Sequence, residues 1–278
     1  MKLIADAGGT TTEWRLINED RILQYTSDGF NFKTHPIEPF LANLPEEVVS
    51  LSTLDELHFY AAGIINESDV QVMTVRFQQI FPECVISVYS DTLGVARAIF
   101  GHEKGYACLL GTGSGAAYYD GKDITQRIPS LGYVLGDEGS GFALGKAIVT
   151  ARVRLQLPKD LELKFDLTFP DFDESELIRE VYSKPKPNLK IAGYASFLIE
   201  NQTSPFAYRL IENVLEGYFQ AFFPDQEENS KHQFRFCGSI AHYSSNILRR
   251  IAPKHNVKID LIAQSPIAGL ALYHKNHE

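Results

Sequence analysis

The side chains that could do chemistry in this chain gather around two short glycine turns. The first reads Asp6-Ala7-Gly8-Gly9-Thr10-Thr11-Thr12, and the second reads Leu110-Gly111-Thr112-Gly113-Ser114-Gly115. Glycine permits positive φ and lets backbone N–H groups approach an anion closely, while threonine and serine add hydroxyl donors. One such turn in each half of the chain predicts a phosphate held between two domains, as in nucleotide-dependent phosphotransferases.

Two aspartates stand where such chemistry would need a carboxylate. Asp6 ends the first apolar strand beside the glycines. There it either forms the turn or holds Mg²⁺ next to a polyphosphate. Asp91 follows another predicted strand and precedes a helix, so it is either the helix N-cap or a general base at the end of a strand. Phosphoryl transfer to an alcohol needs a group that accepts the hydroxyl proton.

Two more glycine-rich segments fit a ligand that approaches the backbone. One reads Gly132-Tyr133-Val134-Leu135-Gly136-Asp137-Glu138-Gly139-Ser140-Gly141, and its glycine density exceeds what a capped helix start needs. The other, Cys237-Gly238-Ser239, leads from a predicted strand into a helix whose first N–H groups could face a nucleotide. Such strand–helix turns are common in α/β folds, so this second segment is weak evidence by itself.

Strand and helix patterns alternate along the chain, which predicts an α/β architecture. The order strand, glycine turn, strand, turn, strand occurs once in each half. Residues 101–105 read as a linker, so we expect domains at residues 1–105 and 106–278. We also expect an interrupted helix at 36–49, a capping box at 68–71 and one helix at 189–200. Residues 157–187 give no functional indication.

Composition limits the function classes. The chain has 278 residues, of which 44% are hydrophobic, and a net charge of −9. The acidic balance argues against nucleic acids and anionic membranes as partners. No apolar run reaches a membrane span, and Asp6 comes too early for a signal peptide. Cys84, Cys108 and Cys237 are odd in number and far apart, which predicts buried thiols in a reducing, cytoplasmic setting.

Taken in order, these motifs resemble the N-acetylglucosamine kinase branch of the BadF/BadG/BcrA/BcrD ATPase family, within the actin–hexokinase–Hsp70 superfamily. The resemblance covers essentially the whole chain, and Gly136-Asp137-Glu138-Gly139-Ser140 is its most branch-specific motif. It implies two RNase H-like domains around an interdomain cleft, with ATP and Mg²⁺ between them and a small amino sugar as substrate. The resemblance is compatible with a homodimer, which no feature of the sequence itself establishes.

The resemblance also implies a role for each site residue. Asp6 would serve the metal, and Asp91 would be the catalytic base for a sugar hydroxyl, most readily O6. The implied nucleotide contacts are Gly8, Gly9, Thr10, Thr12, Gly111, Thr112, Gly113, Ser114, Gly238 and Ser239. The implied sugar contacts are Asn31, Gly63, Asp91, Thr112, Gly113, Gly132 and Asp137.

Three functions remain open from the sequence. The first is an ATP-dependent amino-sugar kinase, with N-acetylglucosamine ahead of N-acetylmuramic acid and glucosamine. The second is a regulatory or sensor ATPase that binds nucleotide and sugar without transfer, which has no need of a base such as Asp91. The third is an ATPase that activates a redox partner through an iron–sulfur cluster, which the apparently buried cysteines disfavour.

Overall fold

The computed structural model describes residues 1–19, 21–51, 53–184 and 187–275. These residues form two compact units, each built on a five-stranded sheet. The first unit comprises Met1–Lys104, Tyr119–Thr125 and the segment from Ser265 onward. The second comprises Gly105–Tyr118 and Gln126–Gln264. In the described part of the chain, every helix is too short or too polar to cross a bilayer.

The first unit carries the first glycine turn. Its strands are β1 (Lys2–Ala7), β2 (Thr11–Asn18), β3 (Arg21–Asp28), β4 (Glu56–Ala61) and β5 (Val85–Ser90). They lie in the order β3-β2-β1-β4-β5, with β1, β4 and β5 parallel and β2 and β3 antiparallel. Its helices begin with α1 (Ile37–Ala42), α2 (Glu46–Val49), α3 (Glu67–Ile80) and α4 (Asp91–Phe100).

One face of this sheet buries an aromatic core. Trp14, Phe30, Phe59 and Phe77 are fully buried there, and Phe30 stacks on Phe40 of α1 with ring centroids 4.5 Å apart. Large aromatic side chains supply most of the apolar area that such a core removes from water. This core fixes β1 and the segment after β3, which carry predicted site residues.

Helix α3 begins two residues earlier than a capping box at 68–71 would require. The N-cap is Asn66, whose side chain accepts from the Asp69 N–H, while the Asp69 carboxylate accepts from the Asn66 N–H. The prediction that Ser68 caps this helix is therefore wrong. Asn66 is the N-cap because its amide oxygen reaches the N–H of the third helical residue, and the side chain of that residue, Asp69, bonds back to the Asn66 N–H.

The second unit repeats the strand order of the first. Its strands are β6 (Gly105–Leu110), β7 (Ser114–Tyr119), β8 (Ile124–Ile128), β9 (Phe234–Cys237) and β10 (Ile259–Ala263), in the order β10-β9-β6-β7-β8. In both units the first strand is central, with the next two strands on one side and the last two on the other. The architectural repeat expected from the sequence is confirmed.

Helices make up most of the second unit. They are α5 (Gly132–Leu135), α6 (Gly141–Val153), α7 (Lys159–Thr168), α8 (Glu174–Ser183), α9 (Pro187–Gly193), α10 (Ala195–Glu200), α11 (Pro205–Phe222), α12 (Gln226–Asn229), α13 (Ser239–Tyr243) and α14 (Ser245–Ile251), followed by a 3₁₀ turn (Ala252–His255). The single helix expected at 189–200 is in fact two helices, α9 and α10. Helix α7 lies in the segment that gave no functional indication.

The last helix, α15 (Ile267–Lys275), packs in the first unit rather than with residues 106–264. Leu270 is buried against Ile4 and Tyr60, and the Tyr60 hydroxyl lies 2.8 Å from His274 Nε2. The compact units therefore differ from the expected boundary at residue 105. The reason is that α15 buries its apolar face against β1, β2 and β4, which residues near the start of the chain supply.

Candidate active site

The carboxyl ends of three parallel strands meet at one edge of the first sheet. The strand register pairs Ala7 of β1 with Ala61 of β4, and Ala61 with Ser90 of β5. The first glycine turn, the Ala62-Gly63 segment and Asp91 follow these three strand ends directly. Open α/β sheets place their ligand sites at such an edge, so the topology brings these predicted site segments together.

The first glycine turn is closed on its inner side and exposed on its outer side. The Gly8 N–H donates to the Thr11 carbonyl (3.1 Å), and the Thr10 carbonyl accepts from the Gly29 N–H (3.1 Å). Gly9 and Thr10 are exposed. A Cβ built on Gly9 would meet nothing within 4 Å. The turn is thus held in place by the chain around it while its tip stays open to a ligand.

Thr12 behaves differently from its neighbours in the turn. It is fully buried, and its hydroxyl donates to the Asp28 carbonyl (2.9 Å). This bond ties β2 to β3. The structure therefore gives the Thr12 side chain a contact inside the sheet, where the sequence suggested a contact with phosphate.

Asp6 lies among negative charges at the same edge of the sheet. It pairs with Glu13 across β1 and β2. Burial, followed by the charges of Asp91 and Glu13, raises the pKa of Asp6 to about 7. An ionised carboxylate in such a place is costly, and a bound cation is what would relieve it.

Asp91 is the first residue of α4, but it does not cap the helix. Ser90 is the N-cap, and its hydroxyl accepts from the Leu93 N–H (3.3 Å). The alternative interpretation of Asp91 as an N-cap is therefore wrong. The Asp91 carboxylate instead accepts from the backbone N–H (2.7 Å) and the hydroxyl (3.2 Å) of Thr92.

Asn31 and Gly63, the two predicted sugar contacts outside the turns, are neighbours. Asn31 forms a parallel bridge with Ala62. Gly63 has φ +82°, and a Cβ built on it would lie 2.5 Å from Asn31 Oδ1. Only glycine combines this backbone conformation with so close an approach.

The second glycine turn lies in the second unit and is joined to the start of α6. The Gly111 N–H donates to the Gly113 carbonyl (2.9 Å). The Gly111 carbonyl accepts from the Gly141 N–H (2.7 Å), and the Thr112 carbonyl accepts from the Phe142 N–H (3.0 Å). The turn is therefore rigidly attached to the helix that follows the Gly-Asp-Glu-Gly-Ser motif.

Asp137 is the side chain that braces this turn. Its Oδ1 accepts from the Ser114 N–H (3.2 Å), and its carboxylate oxygens lie 3.1 and 3.2 Å from the Cβ that any other residue would have at Gly113. Burial, and then the charge of Glu138, raises the pKa of Asp137, although the Ser114 N–H partly offsets this. Among the described residues, no hydrogen-bond partner reaches the buried Ser114 hydroxyl.

The Gly238-Ser239 segment lies beside the second turn. Strand β9 is parallel to β6, with Cys237 opposite Leu109. Gly238 has φ +120°, and a Cβ there would lie 2.4 Å from the Leu110 carbonyl oxygen. The exposed Ser239 then begins α13. The structure thus brings both predicted nucleotide segments of this unit together.

Gly132 stands apart from these contacts. It begins the short helix α5 with φ +69°, and a Cβ there would meet nothing within 4 Å. Val134 and Leu135 of the same helix are exposed. Its predicted sugar contact stays a prediction.

A comparison with solved structures decides the family. A candidate N-acetylglucosamine kinase of Porphyromonas gingivalis is 30% identical to this chain, with a TM-score of 0.88 and 100% of both chains covered. The chain belongs to the N-acetylglucosamine kinase-like family. This family has the actin-like fold of ATP-dependent sugar kinases, which accounts for the duplicated strand order of the two units.

Two more distant structures share the fold of this chain. One is a candidate N-acetylglucosamine kinase of Chromobacterium violaceum, at 18% identity and TM-score 0.71, covering 98% of both chains. The other is a ROK-family glucokinase of Streptomyces griseus in complex with glucose and AMPPNP, at 14% identity and TM-score 0.64, covering 99% of this chain and 98% of that one. No family model matches the chain, and no curated protein does.

The residues near Asp6 fit a magnesium ion held mainly through a nucleotide. Among the described residues, no three His, Cys, Asp or Glu side chains form a group that could hold a metal. Mg²⁺ usually keeps several waters and binds one or two carboxylates together with substrate phosphates. Asp6 supplies one carboxylate, and the exposed glycine turn beside it can bind the substrate phosphates. Together they match the ligands that Mg²⁺ usually takes.

Cys84, Cys108 and Cys237 are free and buried, as the sequence predicted. Burial raises the pKa of Cys84 to about 11 and that of Cys108 to about 12. A thiolate is the form that binds iron. These thiols therefore do not favour the redox-activator function.

Sequence reasoning missed Gly29. A Cβ there would lie 2.4 Å from backbone atoms of Thr10, so the chain after β3 packs directly against the first turn. The Phe30 N–H adds a bond to the Gly8 carbonyl (2.8 Å). Asp-Gly dipeptides are common in turns, but nothing in this one indicates which segment it contacts.

Proposed function

We propose that this protein transfers the γ-phosphoryl group of ATP to the O6 hydroxyl of N-acetylglucosamine. The observation that carries this proposal is the placing of Asp91 and Asp6 at one sheet edge, in a chain with full-length similarity to a candidate N-acetylglucosamine kinase. N-acetylmuramic acid and glucosamine are the alternative acceptors. All three are amino sugars with a primary hydroxyl at C6.

Asp91 acts as the general base in this proposal. It follows β5, so it stands where a hydroxyl bound at the carboxyl edge of the sheet can reach it. Its bonds from Thr92 hold one carboxylate oxygen in place, and the carboxylate accepts the proton of the sugar hydroxyl. Asn31 and Gly63, at the end of the neighbouring strand, border the sugar.

The first glycine turn binds the phosphates through its exposed tip at Gly9 and Thr10. Asp6 would hold Mg²⁺, directly or through water. When bound, that ion supplies positive charge that offsets the negative charge on the transferring phosphoryl group. The chain's own part is to keep the Asp6 carboxylate fixed beside the turn.

The second unit carries the other predicted nucleotide contacts. Gly111, Thr112 and Gly113 approach the phosphate, and Asp137 holds that turn in shape through the Ser114 N–H. Gly238 and Ser239 border the adenosine. Strands β6 and β9 are adjacent, which supports these assignments. The second glycine turn after β6 and the Gly238-Ser239 turn after β9 can then present their backbones to one ligand.

The test is ADP release from Mg·ATP with a panel of N-acetylglucosamine, N-acetylmuramic acid, glucosamine, N-acetylmannosamine and glucose. We expect release that depends on one amino sugar. Asp91→Asn removes the base without changing the side chain's size, so it should lower kcat by roughly 10²- to 10⁴-fold. Its affinity for ATP should be close to that of the wild type.

Two outcomes would count against the proposal. ATP hydrolysis that is indifferent to every sugar would favour the sensor or partner-activating ATPase. Near-normal turnover in Asp91→Asn would show that another group accepts the proton. Phosphorylation at O6 is checked by mass spectrometry and NMR of the product.

A further inference from the structure

The segment that carries Asn31 is fastened on both sides by its backbone. The Asn31 N–H donates to His35 Nδ1 (3.0 Å), and its carbonyl accepts from the N–H groups of Thr34 (3.0 Å) and His35 (2.9 Å). The next residue, Phe32, donates its N–H to the Ala62 carbonyl (2.9 Å). The position of Asn31 is therefore coupled to the segment that follows β4.

The side chain of Asn31 has one of its two polar ends engaged. Its Oδ1 accepts from the Lys33 N–H (3.0 Å). Among the described residues, no protein group accepts from its Nδ2. An amide whose oxygen is occupied in this way offers its NH₂ group, which can only donate. A ligand group bound by Asn31 would therefore be an acceptor, such as a hydroxyl or carbonyl oxygen.

A buried carboxylate holds the other side of this arrangement. Asp69, with a side chain only 8% exposed, accepts from Lys33 Nζ through Oδ1 (2.7 Å). Its Oδ2 accepts from the N–H groups of Ile65 (3.0 Å) and Asn66 (3.4 Å). The hydrogen bond from Lys33 is the largest of the causes that lower the pKa of Asp69, so this carboxyl is ionised at neutral pH.

We propose that Lys33 and Asp69 are positioning residues for the sugar site. The ion pair joins the segment with Asn31 to the start of α3, and so fixes both Asn31 and Gly63. This holds the Asn31 NH₂ group in a position from which it can donate a hydrogen bond to an acceptor oxygen of the sugar. This inference rests on the proposed function, because it assigns the partner of Asn31 in the same site.

The test measures sugar binding directly as well as turnover. We expect Lys33→Met and Asp69→Asn each to raise the Kd and KM for the sugar by roughly tenfold, because a misplaced ligand group loses affinity out of proportion to its displacement. The KM for ATP and the kcat at saturating sugar should stay within about twofold. The double variant should be no worse than either single variant, because the two residues act through one ion pair.

Arg76→Met is the matched control. Arg76 of α3 pairs with Glu38 of α1 (2.9 Å), which also joins α3 to the chain after Asn31, but both side chains of this pair are exposed. We expect the Kd for the sugar to be unchanged in this variant. Circular dichroism and the melting temperature check that each variant is folded.

The outcomes separate the inference from the proposed function. If the wild type phosphorylates a sugar and both variants bind it normally, the inference is overturned and the kinase function stands. An equal loss of ATP and sugar affinity would overturn it too, because the pair would then support only the fold. If the wild type binds none of the sugars, the proposed function and the inference fall together.

Discussion

Asp6 should make the stability of the first unit depend on pH in a way that one substitution removes. In the unfolded chain this carboxyl titrates near 3.8, whereas in the folded protein burial, Asp91 and Glu13 raise its pKa to about 7. Between these two values the folded state holds a proton that the unfolded state has lost. The free energy of unfolding therefore falls as the pH rises from about 4 to about 7, and the loss is complete above that range.

The size of the effect follows from the shift. About three pKa units at about 1.36 kcal/mol each give about 4 kcal/mol. Asp6→Asn has no proton to lose, so the unfolding free energy of the variant minus that of the wild type should rise by about 4 kcal/mol between pH 4 and pH 8. Titrating groups that do not interact with Asp6 are shared by the two proteins and cancel in this difference.

The assay can be confined to the unit that contains Asp6. Trp14 is the only tryptophan of the chain, is fully buried in the core of the first unit and donates from Nε1 to Ser27 Oγ (2.9 Å). Urea unfolding followed by its fluorescence at several pH values gives the required difference. Glu13→Gln is a second probe. Removing that charge should lower the pKa of Asp6, so the unfolding free energy of this variant should stop falling at a lower pH than that of the wild type.

A difference between variant and wild type that is constant from pH 4 to pH 8 would refute this reasoning. It would mean that Asp6 ionises as it does in the unfolded chain, and that burial and its acidic neighbours do not act on it. Mg²⁺ with ADP gives an independent check. A cation at Asp6 favours the ionised form of its carboxyl. Binding of Mg²⁺ with ADP at pH 6 should therefore release a proton in the wild type and none in Asp6→Asn.

Three glycines allow further predictions. Gly63→Ala should raise the KM for the sugar by roughly tenfold, because its Cβ would displace Asn31, whereas Gly101→Ala should leave it unchanged. Gly101 also has positive φ (+59°) but open space around it, so both variants should lose about 1–2 kcal/mol of stability from the backbone alone. Gly238→Ala should raise the KM for ATP, as measured by ADP release, because its Cβ would push against the Leu110 carbonyl.

The sequence predicted the parts of the fold that local pattern controls. Local pattern was enough to predict the alternating strands and helices, the repeated strand–turn–strand order and the two glycine turns. Turn chemistry and apolar periodicity act within a few residues. The capping box of α3 was misplaced by two residues, since Ser68 and Asn66 are both good caps and only the packed helix selects one. Helix α7 was missed because its mixed charges hide the pair Leu161 and Phe165 that it buries.

The sequence predicted less well what each site side chain would do. Thr12 and Thr10 have the same chemistry and stand two residues apart, yet one is buried against β3 and the other is exposed at the tip of the turn. Thr10 precedes β2 and lies in the turn, whereas Thr12 lies within the strand, and a glycine turn does not define the residue at which the strand begins. Asp137 likewise reads as a ligand contact, although in the structure its carboxylate holds the turn at Gly113.

The position of α15 depends on contacts that no local pattern contains. Ser265, two residues before the helix begins, donates to the Glu13 carboxylate, and Glu13 is one of the charges that raise the pKa of Asp6. The end of the chain thus reaches the neighbourhood of the proposed metal carboxylate through one hydroxyl. The bond from Ser265 holds the Glu13 side chain, and Glu13 is the cross-strand partner of Asp6. The helix that sequence reasoning assigned to the second domain therefore belongs, by its chemistry as well as its packing, to the half of the protein that holds Asp6 and Asp91.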